Sequence, residues 1–180
     1  MRLLAVVLNW NGGDDTLAAL ASLEGVETIC VDNGSTDGSD SDVEQRFPQV
    51  ELIRTGANLG FAGGNNVGLR RAFEREADWT LLINNDAIAE PGLADALTAA
   101  AAARPDAGLL ACKILFEDGR TVQYAGATFN ERLGYSGRLT GYGTRNVLRR
   151  DYCLAHAMLR SRRVELTCAV RHCGAITDRP

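Results

Sequence analysis

Lysine is almost missing from this sequence, occurring once in 180 residues, at Lys113. Nineteen basic residues face 23 acidic ones, for a formal net charge of −4. Nucleic-acid binders normally gather basic residues into a net positive field, so the balance argues against that class. A nucleotide ligand stays compatible, because a metal screens its phosphates. Also missing is any apolar run of the roughly 18 residues that cross a bilayer. The first run, Leu3-Leu4-Ala5-Val6-Val7, turns polar at Asn9, too short for a signal peptide's apolar region plus cleavage site. It reads as a buried strand, and the chain as cytoplasmic, at most peripheral at the inner face of the membrane. Two nucleotide motifs are absent as well. No G-x-G-x-x-G follows the first strand and no G-K-[ST] occurs, which removes the main support for dinucleotide oxidoreductases and P-loop NTPases. The five cysteines, an odd number without framework spacing, read as free thiols in a reducing compartment. Cys168, His172 and Cys173 match no zinc spacing and are read as unrelated.

What is present is an ordinary globular composition, 46% hydrophobic and 23% charged. A chain of this length buries roughly 70% of its unfolded surface, enough for a core without disulfides or metals. Runs rich in Val, Ile and Leu alternate with amphipathic or Ala-rich stretches, predicting strands at 3–8, 27–31, 50–54 and 79–83. Helices are predicted at 15–23, 40–47, 65–76 and 91–103, with Pro91 at a first helical position and Arg104-Pro105 as the stop. Short, continuously apolar strands separated by helices are parallel and covered on both faces. The expected fold class is α/β, a doubly wound, mostly parallel sheet with helices on both faces. Past Pro105 the rhythm changes to a long strand at 109–116, a turn at Asp118-Gly119 and a partner at 121–129, a hairpin or crossed pair. Residues 130–150, rich in Gly, Arg and Tyr without a period, read as a loop that is mobile or ordered by ligand.

Ligands of open α/β sheets bind beyond the carboxyl ends of the strands. Here all four ends are polar. They read Asn9-Trp10-Asn11-Gly12, then Asp32-Asn33-Gly34-Ser35-Thr36-Asp37-Gly38-Ser39, then Asn58-Leu59-Gly60 through Gly63-Gly64-Asn65-Asn66, and Asn84-Asn85-Asp86. Each has a purely structural explanation. Asp-Asn-Gly is a turn former and Ser39 a helix cap, the glycines serve positive φ or close packing, Trp10 belongs in the core, and 84–86 forms an Asx turn. Four such ends meeting on one edge favour a binding site instead. A nucleotide base needs a flat apolar face and an acceptor for its ring N–H, which Trp10 or a neighbouring backbone and Asp32 could supply. A diphosphate needs its charge neutralised, and with one lysine a divalent metal, Mg²⁺ or Mn²⁺, is the economical source. Asp86 is the carboxylate placed to hold it.

The segments VVLNWNG, VDNGSTDGS, NLGFAGGNNVG and LLINNDA, in this order, resemble family 2 glycosyltransferases of the A-type nucleotide-sugar fold, especially rhamnosyltransferase-like members, over residues 3–158. The resemblance implies that Asn9 and Trp10 lie against the base, Asp32 and Asn33 beside it, and Asn58, Gly60 and Asn65 along the nucleotide pocket. Asn84-Asn85-Asp86 stands where the family carries its metal-binding D-x-D. Asn84 replaces the first Asp, so Asp86 carries the metal role alone. The implied reaction is inverting transfer of a sugar from a nucleotide diphosphate donor to the hydroxyl of a glycan or lipid-linked acceptor, in cell-surface polysaccharide biosynthesis.

The same resemblance divides the chain into a nucleotide-sugar-binding domain at 1–159 and an atypical tail at 160–180. After Leu159 the tail offers only Glu165 and Asp178 as acids and no match to the family's acidic catalytic segment. It reads as the mark of a truncated or frame-shifted product, with weak turnover, an unidentified base and self-association through exposed apolar surface near 109–116. His156 is read as a packed or exposed histidine without catalytic duty. Two alternatives stand beside transfer: a nucleotide-sugar-binding remnant, and a sugar nucleotidyltransferase, which the lack of a basic residue at 9–14 disfavours.

Overall fold

The computed structural model describes residues 1–125, the backbone of 127–130, 135–139 and 157–160, and residues 142–143. The predicted strands are present as β1 (Leu3–Asn9), β2 (Glu27–Asp32), β3 (Glu51–Arg54) and β4 (Trp79–Asn84). Between and after them run α1 (Gly13–Ser22), α2 (Ser39–Arg46), α3 (Gly60–Glu74) and α4 (Leu93–Ala103). The four strands are mutually parallel in the order β3-β2-β1-β4. Strand order therefore reverses at β1, and the carboxyl ends of β1 and β4 flank the switch point at which sheets of this kind bind ligands.

Side chains alternate across a strand, and β1 shows what this does to the core. Ala5 and Val7 join Leu17 and Leu20 of α1 and Leu93 and Leu97 of α4 on one face. Leu4 and Val6 join Ile29, Val31 and Ala72 of α3 on the other. Each fully buried Val or Leu contributes about 1.5–3 kcal/mol, so neither face tolerates a polar replacement. The α3 face is brought close by Gly64 and Gly68, one helical turn apart. A Cβ on either would overlap the side chain of Leu8 or of Val6.

Four expectations are corrected. Helix α3 begins at Gly60, five residues before the predicted start, because the glycine-rich stretch is helical and its glycines serve contact with the sheet. Helix α4 begins at Leu93, since Gly92 takes φ +86° and breaks the turn that Pro91 was expected to start. The strand expected at 109–116 is two: β5 (Leu109–Leu110) joins the main sheet, whereas β6 (Ile114–Leu115) pairs antiparallel with β7 (Val122–Tyr124) around the Asp118-Gly119 turn. The run expected at 121–129 likewise divides, its second part being β8 (Ala127–Asn130), which pairs with β9 (Tyr135–Leu139). A last strand, β10 (Ala157–Arg160), inserts between β4 and β5, antiparallel to both. The sheet is thus mostly parallel.

The edge of the sheet away from the switch point is closed by ion pairs. Arg2 bonds Glu27 at the start of β2 at 3.0 Å, and Arg75 links Glu27 to Glu51 at the start of β3. Arg71 continues the chain to Glu51 and Glu74. Of the five cysteines, Cys30 and Cys112 are buried and in no disulfide. Desolvation pushes the Cys30 thiol up to about 12, leaving it without nucleophilic character. Among the described residues no helix is long and apolar enough to cross a membrane.

Candidate functional site

All four polar exits lie on the carboxyl edge, and hydrogen bonds hold three of them in one network. Asn9, fully buried at the end of β1, stands opposite Asp32 in the β1–β2 register. Its Nδ2 shares two hydrogens among Asp32 Oδ1 at 3.0 Å, Ser39 Oγ at 2.8 Å and Ser35 Oγ at 3.1 Å. Its Oδ1 accepts from the Gly12 N–H at 3.2 Å and the Thr16 hydroxyl at 2.7 Å. The partners leave no freedom in the amide's orientation, because a backbone N–H only donates and an ionised carboxylate only accepts. Thr16, also fully buried, accepts in turn from Asn85 Nδ2 at 3.1 Å. A continuous run of donors therefore crosses the switch point from the turn after β4, through α1, to the carboxylate after β2.

Gly12 makes this convergence possible. A Cβ there would collide with Asn85 Nδ2, Thr16 Oγ1 and Asn9 Oδ1 together. Its φ of −92° is open to any residue, so the need for glycine is one of space.

On the other side, Asn33 ties β2 to the start of α3. Its Oδ1 accepts the Leu59 N–H at 3.0 Å, and its Nδ2 donates to Asn58 Oδ1 at 3.1 Å and to the Gly60 carbonyl at 3.3 Å. Gly34, at φ +78°, lets the backbone of Ala57 pass so close that a Cβ would overlap it. Asn65 is buried within α3, donating to the Phe61 carbonyl at 2.9 Å. Asn58 and Gly60 stay exposed at the rim.

Trp10 is 55% exposed, contrary to a core placement. Ser39 is no helix cap. Its hydroxyl donates to Asp37 Oδ1 at 2.6 Å, a bond that holds the Asp37 carboxyl below its ordinary range, while accepting from Asn9. Asp32 is buried, with Oδ1 on Asn9 and Oδ2 accepting the Ser35 N–H at 3.2 Å. A carboxylate has about four lone-pair positions, so acceptor capacity remains for a ligand N–H.

Asn84, Asn85 and Asp86 form a turn closed by backbone, the Ala87 N–H on the Asn84 carbonyl at 3.2 Å, where an Asx turn was expected. Asp86 is exposed and accepts no hydrogen bond from any described residue. No group of three His, Cys, Asp or Glu suited to a metal occurs among the described residues. The donor set therefore fits a divalent cation held by one carboxylate and completed by phosphate oxygens and water, and does not fit an all-protein cage. Lys113 is buried. His156, Glu165, Cys168, His172, Cys173 and Asp178, with the expected loop at 130–150 apart from 130, 135–139 and 142–143, lie outside the described residues. Sequence reasoning missed Thr16, Ser35 and Asn85 as members of the network. The one available signal was a polar residue inside the apolar stripe of α1.

Comparison with known proteins agrees with this arrangement. The profile of glycosyl transferase family 2 matches residues 8–166. The N-acetylglucosaminyl-diphospho-decaprenol L-rhamnosyltransferase of Mycobacterium tuberculosis is 38% identical over 109 residues, 56% of this chain and 36% of that protein. This chain thus spans about a third of the length of the curated relatives it matches. S. aureus TarS 1-349, solved with UDP-GlcNAc, superposes with a TM-score of 0.63 at 19% identity, covering 89% of this chain and 46% of TarS, a likeness of fold. The mannosyltransferase PcManGT from Pyrobaculum calidifontis, solved with GDP-Man and Mn²⁺, superposes with a TM-score of 0.50 at 25% identity, covering 62% and 35%. With a profile match across most of its length, on a doubly wound sheet that brings four polar strand exits to one edge, the chain belongs to glycosyl transferase family 2.

Proposed function

We propose that this chain forms the donor-binding part of an inverting glycosyltransferase that moves a sugar from a nucleotide diphosphate to a hydroxyl of a lipid-linked glycan, in the cytoplasm or at the inner face of the membrane. The observation that carries the reading is the network joining the exits of β1, β2 and β4 at the strand-order reversal. Asp32 accepts the ring N–H of the base and Trp10 covers its face. Asn9 acts through Asp32, since its amide is wholly engaged inside. Asn33 fixes the rim at Asn58 and Gly60, and Asn65 supports that rim through the Phe61 carbonyl. Asn84 and Asp86 face the diphosphate. A bound Mg²⁺ or Mn²⁺ would supply neutralising charge for the departing nucleotide diphosphate, with Asp86 as its protein ligand. The name of the N-acetylglucosaminyl-diphospho-decaprenol L-rhamnosyltransferase supports the lipid-linked acceptor in this reading. We assign this function to residues 1–159, although Arg160, the first residue of the expected tail, still pairs with Trp79 in β10.

The test is calorimetry of UDP, GDP and dTDP against the 180-residue chain with Mn²⁺ and with EDTA, followed by a transfer assay over nucleotide sugars. Binding of at least one nucleotide, tightened about tenfold or more by Mn²⁺, is expected; coupling of that size is typical of linked sites. No binding of any nucleotide refutes the reading. Binding without transfer favours the donor-binding remnant.

A further inference from the structure

Within the donor-binding reading, one buried hydroxyl has no ligand to touch and yet joins both halves of the site. Thr16 Oγ1 donates to Asn9 Oδ1 at 2.7 Å and accepts from Asn85 Nδ2 at 3.1 Å. A hydroxyl has a single proton, so this pattern gives the whole run one direction, from Asn85 through Thr16 and Asn9 to Asp32. Bonds aligned in this way polarise one another, and in a buried setting the effect is not screened by water. Every hydrogen points toward the carboxylate, which suits its negative charge. Thr16 has no exposed surface, and its hydroxyl lies in the space that the missing Cβ of Gly12 leaves open.

We propose that Thr16 is a positioning residue that fixes the cation-binding turn at 84–86 relative to Asp32, so that cation and nucleotide binding are coupled through its hydroxyl. The inference rests on the donor-binding reading and adds to it the element that makes the two subsites one. Without the hydroxyl, Asn85 loses its inward anchor, and the neighbouring Asp86 carboxylate is free to sample other positions. The base subsite keeps Asn33, Ser35 and Ser39 and is disturbed less.

The experiment measures nucleotide affinity by calorimetry with Mn²⁺ and with EDTA, in wild type, Thr16→Val and Thr16→Ser, using whichever of UDP, GDP or dTDP the wild type binds best. The readout is the ratio of the two affinities. A drop in that ratio of about fivefold or more in T16V, with recovery to within about twofold in T16S, is expected. A merely structural threonine would lower both affinities together and leave the ratio in place, and that result in a folded T16V overturns the inference alone. A wild type that binds no nucleotide overturns the donor-binding reading itself. Should T16V fail to fold, Asn85→Ala removes the same link from the half-buried end. An unchanged ratio in N85A overturns the inference, and a reduced one supports it.

Discussion

Asn9 and Asp32 stand opposite each other across β1 and β2, and the Asn9 amide donates to the Asp32 carboxylate at 3.0 Å with both side chains buried. The pairing makes asparagine irreplaceable by its closest isostere. Asn9→Asp would set a second carboxylate against the first and remove the donor that Ser35, Ser39 and Asp32 share. Two buried carboxylates at this distance cannot both ionise, so one titrates well above its ordinary range. A group whose folded pKa is raised favours folding at low pH and loses that advantage as pH rises through the folded value. The variant is therefore expected to lose about 3 kcal/mol or more at pH 7, with a smaller deficit near pH 4. Urea unfolding at the two pH values checks it; an equal deficit at both would remove the charge argument.

Two neighbouring glycines separate space from backbone freedom. Gly12 has an ordinary φ but no room for a Cβ, whereas Gly13 has φ +44° and nothing within 4 Å of a Cβ. Gly12→Ala is expected to cost about 1–3 kcal/mol by overpacking and to weaken nucleotide binding, because it displaces Asn85, Thr16 and Asn9. Gly13→Ala costs about 1 kcal/mol through its left-handed backbone and leaves binding within twofold, roughly speaking. Melting curves and calorimetry on both variants test the contrast. Equal effects on binding would show that the site tolerates movement of Asn85.

The sheet was legible because its strands are apolar without interruption, and each of the four parallel strands lies within a residue or so of its predicted span. The polar exits were legible for the same reason: a buried strand that ends on Asn or Asp marks its own carboxyl end. What sequence could not show was decided by packing. The stretch from Gly60 to Gly68 has poor helix propensity, about 1 kcal/mol per glycine against alanine, yet it is helical because Gly64 and Gly68 let α3 touch Leu8 and Val6. Strand β10 pairs with β4 from more than 70 residues away, judged by the register of Ala157 with Leu82, and no local pattern announces such a partner. The inward turn of Asn9 was also hidden. A strand-terminal asparagine looks alike in sequence whether it faces ligand or core, and its network made it a support for Asp32.

The ion pairs on the opposite edge predict an acid response independent of the site. Hydrogen bonding from Arg2, with Arg75 nearby, holds the Glu27 carboxyl below its ordinary range. Glu51 is raised by desolvation, but bonds from Arg71 and Arg75 outweigh this and leave it lowered. Depressed folded values contribute stability above the unfolded carboxylate value, about 4.3, which is lost as pH falls through the folded ones. Both groups are partly exposed, so salt screens the effect. Urea midpoints followed from pH 6 to pH 3 are expected to fall less steeply in Glu27→Gln and Glu51→Gln than in wild type. Parallel curves would mean that the ion-pair chain contributes nothing to acid sensitivity.

Asp86 gives the sharpest separation of binding from folding. It is exposed and bonded to no described residue, so Asp86→Ala is expected to change stability by no more than about 0.5 kcal/mol. If it is the protein's ligand to the cation, its loss removes the only carboxylate in the 84–86 turn, where Asn84 and Asn85 bring neutral amides. Nucleotide affinity in Mn²⁺ should then fall about tenfold or more toward the value measured in EDTA, while the EDTA value stays put. Asp86→Asn separates charge from shape, because it keeps the oxygen and deletes the charge; a hard cation prefers the carboxylate, and this variant should resemble Asp86→Ala more than wild type. Calorimetry of the three proteins in both conditions decides it. Undiminished metal enhancement in Asp86→Ala would remove Asp86 from the site, and the cation would have to be held by phosphate and the amides of the turn alone.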